Sequence, residues 1–274
     1  RFLECRFKYR INNYYKNSHS QIVYTAADLG NKPISIEELV WQFSYITPKN
    51  KFNGYKDFTL KMKYYKEDNL KGLEYFIDMS DAETVLKIDL LKIDSKTLEL
   101  KFDKPFVYDG KSNVLLDLTW GKNNNFVELD YAPEIYCHST NKASVARNSY
   151  DDYDDDGNPI NSGADIKDVN KSTSYRPNTT FRYQKPKYVF FDVKDTDGLP
   201  VPDIKISVAG SSALTNNNGQ ANMYVFTNRR LEYEVNTIDY AVDAETITTS
   251  NDTVRFSLQV RQLNVFDVTF HIID

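Results

Sequence analysis

Apolar residues recur at every second position through most of this chain. Leu39, Trp41, Phe43 and Tyr45 alternate with Val40, Gln42 and Ser44, and Phe58, Leu60, Met62 and Tyr64 with Thr59, Lys61 and Lys63. That period matches a strand with one face on a core and the other in water. Leu86, Ile88 and Leu90, then Leu98, Leu100 and Phe102, then Val114, Leu116, Leu118 and Trp120 continue it. Tyr108-Asp-Gly-Lys111 marks a tight turn between the last two. Shorter strands are expected at Phe2–Tyr9, Ile22–Tyr24, Phe126–Tyr131 and Glu134–His138, and one helical turn at Thr25–Gly30. Asn12–Ser20 has no clear period, and Asn69–Met79 leaves a helical turn open.

The pattern changes near Gln184-Lys-Pro-Lys187, polar and broken by a proline that cannot donate to a ladder. Phe181–Tyr183 reads as the last strand of one domain, and Tyr188–Val193 as the first of the next. Beyond it Ile204, Ile206 and Val208, then Ala221, Met223 and Val225, then Leu231, Tyr233 and Val235, then Val254, Phe256, Leu258 and Val260 alternate. About seven short strands in roughly 75 residues suit a small Ig-like sandwich. The first region, with many strands and no helical crossover, suits a β-sandwich or jelly roll. The expected fold is all-β: a jelly-roll β-sandwich over 1–184, a smaller Ig-like β-sandwich over 185–262, and in 263–274 the first strand of a further repeat. That last strand would be open to edge pairing with another copy.

Composition sharpens the class. Twenty Tyr and 16 Phe against 10 Gly and three Met favour sheets. A net charge of −5 argues against a nucleic-acid partner. No apolar run reaches the ~18 residues that a membrane-spanning helix needs. The chain opens at Arg1 without methionine, which suggests a fragment of a longer precursor from which a signal has been trimmed.

Candidate chemistry is sparse. Asp152, Asp154 and Asp156 followed by Gly157 match the opening of a calcium loop. The match fails at the twelfth position, Gly163, where a glutamate belongs, and Asp165 could replace it only in a differently folded loop. A structural calcium is thus one expectation and a solvated acidic loop the other. Cys5 and Cys137 could form one long-range disulfide or be two separate thiols. His19, His138 and His271 are scattered, and Cys137 and His138 would point to opposite faces of a strand. No zinc-protease, nucleophile-elbow, phosphate-loop or dinucleotide motif occurs, so the chain is read as non-enzymatic. Tyr14, Tyr15, Tyr64 and Tyr65 are the candidate contact residues, because an adjacent pair on a strand puts one ring on the outer face. Trp41, Tyr75 and Trp120 are weaker candidates for such a platform.

Four patches of the first region resemble the jelly-roll adhesin modules of Bacteroidetes-type secreted and surface proteins, the cleaved-adhesin group that includes gingipain haemagglutinin domains. They are Ser20-Gln-Ile-Val-Tyr24 with Leu29-Gly30, Leu100–Gly110 leading into Asn113-Val-Leu-Leu, Ala143–Tyr150, and Tyr175-Arg-Pro-Asn178. The acidic loop departs from that pattern. In the second region Asp197-Gly198 before Pro200-Val201, Val208-Ala-Gly210, Thr215-Asn216, Asn218–Ala221 and Tyr233 resemble carboxypeptidase-regulatory-like and bacterial Ig-like repeats. The resemblance implies a secreted or outer-cell-surface adhesin followed by a spacer, with an extracellular protein or carbohydrate ligand and neighbouring repeats as partners. The alternative is an accessory region of a secreted peptidase or glycan-degrading enzyme.

Overall fold

The computed structural model describes residues 8–10, 15–48, 54–121, 132–226, 231–236, 240–250 and 253–263. The chain is all-β, and among the described residues its only helical element is a 3-10 turn, Gly163–Asp165. It divides into two compact units, Arg1–Tyr183 and Gln184–Asp274. The expected strands at Phe126–Tyr131 and in 264–274 lie outside the described residues, as does most of the expected opening strand Phe2–Tyr9.

In the first unit the strands are β1 (Lys8–Arg10), β2 (Asn17–Tyr24), β3 (Ile34–Tyr45), β4 (Tyr55–Tyr65), β5 (Glu83–Leu91) and β6 (Thr97–Tyr108). They continue with β7 (Asn113–Gly121), β8 (Glu134–Ser139), β9 (Val145–Tyr150), β10 (Lys171–Thr173), β11 (Tyr175–Pro177) and β12 (Thr179–Gln184). One six-stranded sheet runs β1-β8-β3-β12, with β11 on β8 and β6 on β3; the other runs β10-β9-β2-β7-β4-β5. The alternating side chains of both sheets meet in one core that includes Ile22, Trp41, Phe43, Phe58, Phe106 and Leu116. Burying each of these stabilises the fold by about 1.5–3 kcal/mol.

The second sheet is covered on its outer face too. Val23, Leu115 and Ala146 point away from the main core and pack with Leu70 and Met79. The covering segment is the ambiguous stretch 69–79, which forms a loop and not a helical turn. It is tied down by Leu70 N–H to Ala143 O at 2.7 Å, Phe76 N–H to Lys167 O at 2.8 Å and Val169 N–H to Glu74 O at 2.8 Å.

Beneath it lies a buried polar network. The Gln21 amide donates to Ile77 O and to Asp117 Oδ1, both at 2.8 Å. The Ile77 N–H donates back to Gln21 Oε1 at 2.9 Å. His19 donates from Nδ1 to Ile166 O at 2.9 Å and sets Nε2 2.6 Å from Asp117 Oδ1, with its ring stacked on Phe76. The double cover explains why Asn17–Gln21 belongs to a strand although it shows no apolar period.

The 3-10 turn abuts the same sheet. A Cβ on Gly163 would stand 2.1 Å from Ser18 O and 2.6 Å from Trp120 O, so only glycine fits there. Gly163→Ala should cost about 1–3 kcal/mol, read as a lower urea midpoint. A loss under about 0.5 kcal/mol, the scatter expected of a surface substitution, would show that the turn is not seated on the sheet.

In the second unit a four-stranded sheet is built from β16 (Gln220–Val225), β13 (Lys187–Lys194), β19 (Thr253–Gln262) and β18 (Tyr240–Ser250), in that order. It faces a three-stranded sheet of β15 (Ser211–Leu214), β14 (Lys205–Val208) and β17 (Tyr233–Asn236). β13 and β19 pair in parallel, Tyr188 opposite Thr253 through Lys194 opposite Gln259. Phe191, stacked on Phe256 with centroids 4.8 Å apart, lies at the centre of the core.

Candidate functional site

β11 pairs with β8 and sets Arg176 opposite His138. This register carries a charged side chain inward: Arg176 is only 5% exposed. Its guanidinium forks onto Asp28, at 2.8 Å to Oδ2 and 2.9 Å to Oδ1, and donates to Val23 O at 3.0 Å. It also lies 4.5 Å from the centre of the Tyr24 ring. A buried cation held this way has an anion in bidentate geometry and an aromatic face, the two contacts that suit guanidinium and not ammonium.

The turn after β2 places Asp28. Thr25 caps it, its backbone N–H and hydroxyl both 2.8 Å from Asp28 Oδ2. Gly30 ends the turn at φ +80, a conformation that favours glycine. Partial burial acts to raise the Asp28 carboxyl, but the hydrogen bonds from Arg176 and Thr25 outweigh it and hold it down to about 2. His138 lies 2.7 Å by Nδ1 from Asn178 Oδ1 and 3.3 Å by Nε2 from an Arg176 nitrogen. The amide oxygen and the guanidinium fix the tautomer: Nδ1 donates and Nε2 accepts.

Above this pair opens a pocket of about 400 Å³. Thr25, Asp28, Asp68, His138, Lys142 and Arg176 are among its lining residues, with Thr140 and Asn141 beside them, and Arg176 is the most buried of the charged ones. The Thr140 hydroxyl lies 2.6 Å from Lys142 O and 2.8 Å from Ser174 O, and the Thr140 N–H donates to Ser174 O at 2.8 Å, which ties the 138–144 turn to Ser174. Lys142 pairs with Asp68 across the mouth. Two acids, Asp28 and Asp68, balance two bases, Lys142 and Arg176, so the formal charges cancel.

Among the described residues, none of the site residues expected from sequence lines this pocket. Tyr14 and Cys5 lie outside the described residues. Cys137 is buried at the centre of β8. Tyr64 lies over Phe106 and donates its hydroxyl to Val107 O at 2.7 Å, while Tyr65 packs into the outer cluster with Leu70. These two are level with Val114 and Asn113, whereas Tyr15 precedes the other end of β2, where Ser18 meets Trp120. Tyr15 therefore lies at a different place on the sheet from Tyr64 and Tyr65. Trp41 and Trp120 belong to the core, and Tyr75 is exposed on the covering loop.

The acidic loop folds around its own carboxylates. Asp154 Oδ1 accepts from the N–H groups of Asp156 at 3.1 Å and Asn158 at 2.7 Å. Asp152 pairs with Lys16. Asp165 closes a capping box with Ser162. Gly163, the position that breaks the calcium-loop match, is the close-packed glycine of the 3-10 turn. Among the described residues no three His, Cys, Asp or Glu side chains gather closely enough to hold a metal ion.

No family model matches the chain, and no curated protein does. Solved structures similar at a low level include three pilus proteins. The pilus 2b backbone protein of group B streptococcus is 8% identical, with 93% of this chain and 97% of that chain covered and a TM-score of 0.23. The open conformation of the pilus adhesin SpaC of Lactobacillus rhamnosus GG is 8% identical over 82% of this chain and 25% of that one, at TM-score 0.23. The pilus backbone RrgB of Streptococcus pneumoniae is 10% identical over 91% and 46%, at TM-score 0.20. Likeness at this level assigns neither family nor function. The cleaved-adhesin and carboxypeptidase-regulatory-like resemblance rests on the sequence patches alone.

Proposed function

We propose that the chain is a non-catalytic binding module of a secreted or cell-surface protein. In this reading the first unit holds a neutral, hydroxyl-rich carbohydrate in the pocket above Arg176, and the second is an Ig-like spacer. The observation that carries it is the pocket itself. Its lining carries hydroxyl, amide and ammonium groups, several of them already bonded within the protein, and its formal charges cancel. A ligand rich in hydroxyls can satisfy such groups without bringing a net charge.

The titratable groups there are committed to structure. Asp28 is held as a carboxylate by donors on both oxygens, which removes it as a proton donor near neutral pH. His138 is clamped between an amide oxygen and the guanidinium.

The test is a glycan array read with the full chain, followed by titration of any hit against Asn141→Ala and Lys142→Ala. Both residues lie on the pocket wall and not in the core. The expected result is saturable binding that each variant weakens about tenfold, the loss of roughly 1.4 kcal/mol from one or two hydrogen bonds. Binding that ignores both variants would move the site elsewhere. Silence on the array, with capture of an extracellular protein from a panel instead, would replace a carbohydrate by a protein ligand.

A further inference from the structure

β18 is an edge strand with both faces in water. Nine of its 11 residues, from Val242 to Ser250, are exposed, and among the described residues it pairs with β19 alone. The register explains this. Val242, Glu245, Ile247 and Thr249 lie opposite Val260, Leu258, Phe256 and Val254, which point into the core. Their side chains therefore point to the core side of the sheet. Yet Ile247 is 45% exposed and Val242 39% exposed, because the facing three-stranded sheet stops short of β18. Tyr233 of β17 reaches across and donates its hydroxyl to Glu245.

Such an edge is a template for another strand unless it is blunted by lysine, proline or a bulge. The register shift between Val242 and Ala244 interrupts one end. The remainder, Ala244-Glu-Thr-Ile-Thr-Thr-Ser250, has no proline, no glycine and no lysine, and is dominated by β-branched residues.

We infer that this segment pairs antiparallel with the same segment of a second copy of the chain, joining two four-stranded sheets edge to edge. Two copies related by a twofold axis keep like faces together only when the axis passes through a residue position. An axis through Glu245 would set two carboxylates against each other, which is destabilising. An axis through Ile247 sets Ile247 against itself, Thr246 against Thr248, Glu245 against Thr249 and Ala244 against Ser250. No like charges meet, and the pairs are apolar or β-branched, the kind that stabilise a ladder. This self-complementarity is what an isologous contact requires, and it is the reason for a second copy as the occupant over an unrelated strand. A seven-residue ladder lies at the low end of interface size, so the association is weak and depends on concentration.

The test is sedimentation of the full chain over rising concentration, beside Ile247→Lys and Ile247→Cys. Ile247 is half in water in the single chain, so neither change should unfold it, which circular dichroism checks. The expected result is a monomer–dimer equilibrium that Ile247→Lys abolishes, and a disulfide-linked dimer of Ile247→Cys under mild oxidant that wild type and Ala244→Cys do not form. A chain that is monomeric throughout, or a dimer that survives Ile247→Lys, overturns the proposal. So does Ala244→Cys cross-linking in preference to Ile247→Cys, which would mean another register.

Discussion

Asp28→Ala should cost the first unit about 3–5 kcal/mol, because it leaves the Arg176 guanidinium buried without its anion. Arg176 is 6% exposed at its side chain and Asp28 32%, so the two partners are not equivalent. Arg176→Met should cost less: the stranded carboxylate can hydrate, and the methionine fills part of the guanidinium's space beside Tyr24. The double variant should be more stable than Asp28→Ala alone, a coupling that a double-mutant cycle in urea reads directly. If Asp28→Ala cost less than about 1 kcal/mol, the pair would be no better than an exposed ion pair.

The same contact predicts an acid limb. The Asp28 carboxyl sits at about 2 in the folded chain against an ordinary value of 3.8. Its contribution is complete above about pH 5 and is lost as pH falls through 4 towards 2, since the unfolded chain then binds the proton first. A shift of nearly two pK units corresponds to about 2 kcal/mol, an upper figure for a carboxylate partly open to water. The urea midpoint of wild type should fall over this range more steeply than that of Asp28→Asn.

Asp117→Ala should cost about 3 kcal/mol. The change removes the oxygen that lies 2.6 Å from His19 Nε2 and accepts from the Gln21 amide, in a layer covered by the 69–79 loop. Asp117→Asn keeps an oxygen in the same place and should recover part of the loss. Equal losses from the two variants would show that the carboxylate charge, and not the acceptor, holds the network. Hydrogen exchange gives a second reading. The Ile77 amide, bonded to Gln21 Oε1, should lose protection in Asp117→Ala, because the loop lifts when its buried anchor is weakened.

Where a strand has one wet face and one dry face, its residues said so. β3, β4, β6, β14, β16 and β19 all carry the period of two that was read from Leu39–Tyr45, Phe58–Tyr64, Leu98–Phe102, Ile204–Val208, Ala221–Val225 and Val254–Val260. The Asp109-Gly110 turn is equally local. Gly110 takes φ +79, and Asp109 accepts from the N–H groups of Lys111 and Ser112 at 2.8 and 2.9 Å.

The signal fails where both faces of a strand meet the same surroundings. Asn17–Gln21 of β2 is covered on both sides and shows no alternation; β18 is bare on both sides and shows none either. The acidic stretch matches the opening of a calcium loop by the spacing of its carboxylates and glycine; in the structure its carboxylates bond within the loop, pair with Lys16 and cap the 3-10 turn.

The sequence by itself determined the all-β class, the half-buried strands and the tight turns, because each depends on neighbours one to four positions away. Only the tertiary structure decided the candidate site. Arg176 meets Asp28 across 148 positions, and His138 and Lys142 reach the same pocket from β8 and the loop that follows it. No local period encodes such a meeting, since it depends on which strands become neighbours in the sheet and in what register. The exposed edge of β18 is likewise set by how far the opposite sheet extends, which is a property of the packed layers and not of the strand's own residues.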